Sequence, residues 1–276
     1  MDWSLGVCTW VFGNIPLVEV ATGLARLGFD GVELLGDFKR YPTIETRWLL
    51  QQRGLSVLSL TPLNVDLAHP DSKVREQALD YYRALLDYAA ELGAGIVACH
   101  GQVGRVRPIA SQEDEEQWLC EGIAQIADRA EQMGLRVAIE VLNRYESHLV
   151  NTAAQAKALV ETIGSPVLGI LLDTYHMNIE EMDLSRAIRL AGDRLWLFHV
   201  ADSNRRAAGR GHIPFLSLIR ALDEVGYRGP IVVECTAPGP DPFTPIKGPK
   251  WEELVWDEVA TSIRYLRELI RVAQGK

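Results

Sequence analysis

RVAIE (136–140), VLGILLD (167–173), LWLFH (195–199) and PIVVE (230–234) are the stretches that decide how this chain is read. Each is a short apolar run that ends in a side chain able to bind metal: Glu140, Asp173, His199 and Glu234. These residues stand 33, 26 and 35 positions apart, and each interval holds a loop, one helix and the next strand. The runs are therefore read as buried parallel strands, because parallel neighbours need a long crossover between them. In a closed (β/α)₈ barrel the C-terminal strand ends converge on one face, where active sites are built. Two glutamates, an aspartate and a histidine then meet around one point.

Outward from these runs the alternation continues. Strands one to four are read at 5–11, 31–36, 55–62 and 95–101, and strands five to eight at 136–142, 167–173, 195–200 and 230–235. Helices fall between them. The third is capped by Asp71 or Ser72 and carries a stripe at Val74, Ala78, Tyr81, Leu85, Tyr88 and Leu92, at the three- and four-residue steps of one helix face. Ser111 with Asp114 resembles a capping box for the fourth, which is expected to bury Trp118, Ile123, Ile126 and Ala130. Shorter helices are read at 152–163, 183–191 and 215–224, and a closing helix from Trp251. Eight strand–helix units predict an α/β fold, one (β/α)₈ TIM barrel domain spanning residues 1–276. An open nucleotide-binding sheet would place GxGxxG after strand one, where this chain has WVFGN.

Composition sets outer bounds. With 276 residues, 47% hydrophobic and 24% charged, the chain has the balance of a globular protein with a sizeable core. A net charge of −9 argues against a nucleic-acid partner, which needs a basic face. No signal peptide or membrane-spanning run is read, so a cytoplasmic protein with no membrane partner is expected. Cys8, Cys99, Cys120 and Cys235 show no paired spacing and are read as reduced thiols.

Three carboxylates and one imidazole suit Mn²⁺, Co²⁺ or Mg²⁺ better than a structural zinc. A single buried acid is as simply explained by an arginine or lysine partner. Four metal-capable residues at matching strand ends are not. Such a cation polarises a hydroxy-ketone and acidifies the adjacent C–H. Glu140 and Glu234, three strands apart around the ring, reach a substrate from different sides. One glutamate removes the proton and the other returns it to the opposite face, which suits epimerisation.

The flanks add candidates. Strand six runs on into Thr174–Asn178, where His176 is placed to donate to a substrate oxygen. In the loop 203–214, Arg205 is placed to clamp a substrate oxygen, while Arg206 and Arg210 are read as solvated charge. His100 ends strand four and is read as a pocket-lining residue; His69, His148 and His212 are left to the surface or rim. The proline-rich loop 236–250 is expected to form a wall or lid, or a subunit contact.

ExLNRYE (140–146), Asn151-Thr152, LGILLDTYHMNIEE (168–181), HVADSNR (199–205) and GxGH (209–212) resemble the xylose isomerase-like barrels. Within them the chain is most similar to the D-tagatose 3-epimerase/D-allulose 3-epimerase family. The likeness is strong over about 135–235 and elsewhere rests on the barrel pattern. It implies that Glu140, Asp173, His199 and Glu234 bind one divalent ion, Mn²⁺ first, and that Glu140 and Glu234 are the acid/base pair. It implies that His176 and Arg205 hold sugar oxygens and that Glu146 contacts the C1 end. A homo-oligomer, dimer or tetramer, is also expected. HGQVGRVRP after strand four and ECTAPGPDP after strand eight depart from the family pattern at the far end of the sugar, which leaves the substrate open. Arg105, Arg107 and Arg210 are the candidates for a phosphate cradle.

The expected activity is metal-dependent inversion at C3 of a free ketose. Aldose–ketose, hydroxypyruvate and keto-inositol isomerisation or dehydration on the same barrel are the alternatives. An abasic-site endonuclease needs more histidine and aspartate ligands and a basic DNA-facing surface, which −9 and six histidines oppose. A sugar-binding protein without catalysis has no use for two facing glutamates.

Overall fold

The computed structural model describes residues 3–239, 241, 243, 244 and 248–275. Strands β1 (Leu5–Cys8), β2 (Gly31–Leu35), β3 (Ser56–Thr61), β4 (Ile96–Cys99), β5 (Arg136–Glu140), β6 (Leu168–Asp173), β7 (Leu195–Val200) and β8 (Ile231–Val233) close into a parallel barrel in sequence order. β8 returns to β1 through Leu5↔Ile231 and Val7↔Val233. Around it lie α1 (Leu17–Leu27), α2 (Thr43–Gln51), α3 (Ser72–Leu92), α4 (Gln112–Gln132), α5 (Ala153–Ile163), α6 (Thr174–Glu180), α7 (Leu184–Ala191), α8 (Phe215–Glu224) and α9 (Trp251–Ala273). The strands are buried on both faces, by helices outside and packed side chains inside, which is why they read as unbroken apolar runs.

Local signals explain most helix starts. Asp71 caps α3 by accepting from Lys73 N at 2.9 Å, and Ser111 caps α4 by accepting from Asp114 N at 3.0 Å. Thr152 and Gln155 form a complete capping box on α5.

The helix faces differ from the periodicity in two places. On α3, Tyr82 and Leu86 are fully buried, while Tyr81 is half-buried with its hydroxyl donating to Gly36 O at 2.9 Å. Trp118 on α4 is also half-buried, lying under the Arg75 guanidinium at 4.5 Å, and Leu119 takes the core position. A helix that packs on both the barrel and a neighbour buries a wider stripe than one row of side chains.

The stretch read as a continuation of strand six is instead helix α6. Asp173 is its N-cap, accepting from Tyr175 N at 2.8 Å. An aspartate at a strand end satisfies the first backbone N–H groups and turns the chain into a helix. Strand one is also shorter than expected. It ends at Cys8 and tightens into a 3₁₀ turn, Thr9–Phe12, that carries Trp10 to the barrel mouth.

The cysteines are free, with Cys8, Cys99 and Cys235 buried. No helix among the described residues is long and apolar enough to cross a membrane. Of the proline-rich loop, residues 240, 242 and 245–247 lie outside the described residues. Register sets the scene for the site: Cys8 pairs with Glu33, Glu33 with Ser59, and Asp173 with His199. One end of the barrel interior is therefore polar.

Candidate active site

The four strand-end residues converge as expected. Glu140 closes β5, Asp173 closes β6, His199 lies on β7 and Glu234 directly follows β8. His199 Nδ1 is 3.5 Å from Glu234 Oε2 and 3.9 Å from Glu140 Oε1. Asp173 uses one oxygen on its cap, and Oδ2 has no hydrogen-bond partner among the described residues. His199 Nδ1 has none either. Buried unpaired atoms of this kind cost about 1–3 kcal/mol each, so native structures seldom keep them without a reason. Bare imidazole nitrogen and carboxylate oxygen facing one another are the donor set of a divalent cation, and the residues fit one.

Electrostatics supports that fit. Burial and the neighbouring Glu234 raise the Glu140 carboxyl well above its usual range. The same two causes push Asp173 up to about 8. Burial opposes ionisation of Glu234 too, but His199 and Arg205 outweigh it and hold its carboxyl well below the usual range. Carboxyl groups crowded in a dry site need a positive centre among them.

Glu33 was not singled out by sequence reasoning, yet it organises the floor of the site. It is fully buried on β2, accepts from Ser59 Oγ at 2.6 Å and Cys8 Sγ at 3.0 Å, and meets His199 Nε2 at 3.1 Å. Cys8, Glu33, His199 and Glu234 offer ligand atoms that all lie within 4.8 Å of one another, a metal-capable grouping that shares only His199 and Glu234 with the strand-end quartet. Its chemistry is less apt. The Cys8 thiol is a hydrogen-bond donor here, whereas a cysteine ligand is a thiolate, and Glu33 is already satisfied by its partners. The bare atoms belong to Asp173 and His199. The available signal was an acid inside the apolar run GVELLG, the same anomaly as the other four but in mid-strand.

Above this floor lies a cavity of about 360 Å³, lined by Glu140, Glu234, Glu146, His176 and Arg205 together with Trp10, Leu35 and Phe243. His176 Nδ1 receives Asn143 N at 3.1 Å and the Asn143 side-chain amide at 2.7 Å. Two donors on Nδ1 leave the proton on Nε2, which has no hydrogen-bond partner and lies 3.7 Å from Asp173 Oδ2. Burial, reinforced by Arg205, holds this ring well below the usual histidine range, so it is a neutral donor. The Asn143 amide also donates to Glu146 Oε1 at 3.0 Å. Burial raises the Glu146 carboxyl against the opposing pull of Arg205.

Arg205 is buried, with backbone φ of 58°, and its guanidinium lies over the ring of Tyr175 at 4.6 Å. It reaches Glu234 Oε2 at 3.3 Å and Glu146 Oε1 at 3.7 Å. Trp10 Nε1 donates to the other Glu234 oxygen at 2.9 Å. Arg206 and Arg210, read as solvated charge, are instead clamped on the buried Glu258 of α9, which also accepts from Ala207 N at 2.7 Å. A buried carboxylate demands such partners, and they tie the Arg205 loop to the barrel wall. The phosphate candidates are spent as well. Arg105 pairs with Asp66 at 2.9 Å and with Glu115, Arg210 with Asp257 at 2.5 Å and Glu258, and Arg107 is exposed outside the cavity. His148, assigned to the rim, is half-buried against Glu115 at 3.1 Å.

Comparison with known proteins bears on this geometry. The family model described as xylose isomerase-like TIM barrel matches residues 22–269. A D-psicose 3-epimerase of Agrobacterium fabrum is 32% identical over 221 residues, 76% of each chain. A 3-dehydro-D-guloside 4-epimerase of Escherichia coli is 29% identical over 247 residues, 87% of this chain and 94% of the other. The crystal structure of a D-psicose 3-epimerase from Clostridium cellulolyticum H10 with D-tagatose superposes with a TM-score of 0.87 at 25% identity, covering 97% of this chain and 99% of that one. This chain thus belongs to the xylose isomerase-like TIM barrel family and is a carbohydrate epimerase related to the ketose 3-epimerases.

Proposed function

We propose that this carbohydrate epimerase is divalent-metal-dependent and inverts C3 of a free ketose. The observation that carries the proposal is that Glu140 and Glu234 line one cavity from strand ends three apart around the barrel. Glu140, Asp173, His199 and Glu234 would hold the ion, Mn²⁺ by preference, with Co²⁺ or Mg²⁺ as substitutes. Once bound, it would polarise adjacent oxygens of the sugar and make the C–H between them acidic.

The chain's own residues do the rest. One glutamate takes the C3 proton on one face of the sugar, and the other returns a proton to the opposite face. Trp10 and Arg205 fix the two oxygens of Glu234, so that its carboxylate approaches in a single orientation. His176, oriented by Asn143, offers its Nε2–H to a substrate oxygen. Arg205 binds a sugar oxygen beside the ion, and Glu146 contacts the C1 end. Trp10, Leu35 and Phe243 form the apolar part of the cavity wall and keep the reacting carbon away from bulk water.

Isotope exchange tests this. A ketose deuterated at C3 should lose label to water as its C3 epimer forms, while label at C1 is kept. Loss from C1 with an aldose as product would make the protein an aldose–ketose isomerase. The likeness to a 4-epimerase over 94% of that protein's length supports a second reading, inversion beside a 3-keto group. Label loss from C4 of a 3-keto sugar would select it.

A further inference from the structure

We propose that His100 is a specificity-determining residue, hydrogen-bonding through Nε2 to a substrate hydroxyl on the cavity wall built by β3 and β4. The inference rests on the epimerase reading. The proposed acid/base pair and the four proposed ligands of the ion come from β5 to β8, and His100 directly follows β4 while lining the same cavity.

The position of the ring is built in. Gly101 has φ of 76°, and a Cβ there would meet Leu119 Cδ1 at 2.5 Å, so the turn accepts only glycine. Gly101 O accepts from Leu67 N at 2.9 Å, and His100 O from Gln102 N at 2.9 Å. The Gln102 side-chain amide donates to Arg105 O at 2.8 Å and Ser147 Oγ at 2.9 Å, tying the turn to the segment after β5. A side chain mounted on such a turn keeps its direction before any ligand arrives.

The ring is half-buried and meets the cavity. Its Nδ1 is enclosed and has no hydrogen-bond partner among the described residues, so Nε2 is the nitrogen open to the cavity. Burial pushes the ring down to about 4, against a hydrogen bond to the Pro62 carbonyl, so the imidazole is neutral with one donor and one acceptor. Asn64, which lines the same cavity, is held in place by donating to Val103 O at 2.7 Å and accepting from Val103 N at 2.9 Å. A polar atom open to a cavity is paired by what enters it, and such a site rejects analogues that lack the partner group.

The test uses the full-length, Mn²⁺-loaded protein with D-fructose, D-tagatose and L-ribulose. On the best of these ketoses, His100→Phe should raise KM roughly tenfold while kcat changes less than about threefold, the loss of one ground-state hydrogen bond. His100→Gln, which keeps a polar atom near the Nε2 position, should recover most of the difference. Deoxy analogues of the same ketose locate the partner hydroxyl: when it is missing, wild type and His100→Phe should have equal KM. Bound manganese should be the same in all three proteins. Unchanged KM in His100→Phe, or failure of every deoxy analogue to close the gap, overturns the proposal. Loss of manganese in His100→Phe also overturns it, by making His100 a ligand. If wild type epimerises none of these ketoses, the epimerase reading fails and takes this inference with it.

Discussion

Both carboxylate oxygens of Glu33 lie 3.1 Å from Nε2 of His199, deep in a barrel where neither side chain meets solvent. The contact fixes the ring so that Nδ1, the bare nitrogen, faces Glu140 and Glu234. Carboxylates that hold a ligating histidine in this way are commonly worth 10–100-fold in metal affinity. Glu33→Gln should therefore weaken Mn²⁺ binding by about 10-fold or more, read by titration calorimetry on the stripped protein. An unchanged affinity would reduce Glu33 to a packing residue.

Chelation should abolish activity, with Mn²⁺ or Co²⁺ restoring it better than Zn²⁺, because the donor set is rich in oxygen. Ions that bind only the folded state also stabilise it. Adding Mn²⁺ to stripped protein should raise Tm, and Asp173→Asn should shrink that rise. Full turnover in excess chelator would remove the ion from the proposed reaction.

Arg205→Ala and Arg205→Gly form an informative pair. Both delete a guanidinium placed between Glu234 and Glu146, and turnover should fall about 100-fold or more in each. At φ of 58° glycine is unstrained where alanine is not. The glycine variant should consequently melt no lower than the alanine variant. Turnover near wild type in Arg205→Gly, measured with folding confirmed by circular dichroism, would take this loop out of the pocket.

Acid should loosen the segment between β4 and α4. Burial alone would raise the Glu115 carboxyl, but Arg105 and the Ala110 and Ile109 N–H groups outweigh it and hold it below the ordinary value of 4.5. A lowered folded-state value means that the unfolded chain binds the proton more readily. The stabilisation is complete above pH 4.5 and fades as pH falls toward the folded-state value. Thermal melts across pH 3–7 should show Glu115→Gln losing less Tm on acidification than wild type. Parallel curves would place the acid sensitivity elsewhere.

The barrel was legible because its strands are apolar on both faces and separated by helix-length intervals, a pattern that depends only on order along the chain. The quartet Glu140, Asp173, His199 and Glu234 was legible for a related reason. A metal-capable residue at the end of an apolar run is an anomaly that shows without coordinates, and barrel closure sends every such end to one face. Element ends were less visible. Asp173 reads as the last residue of a strand, and only the hydrogen bond to Tyr175 N reveals that it also starts a helix.

What the sequence by itself determined was the fold and the identity of the side chains at the strand ends, since both follow from hydrophobic period and spacing. Tertiary structure alone decided which partners those side chains have. Glu33 and His199 are 166 residues apart, and Arg206 finds Glu258 across 52. Such pairings depend on strand register and on how a loop packs against a distant helix, neither of which leaves a periodic trace in the chain. The same holds for the vacancies at Asp173 Oδ2, His199 Nδ1 and His100 Nδ1. A missing partner can be recognised only after every neighbour has been placed, because burial and hydrogen bonding are properties of the packed interior.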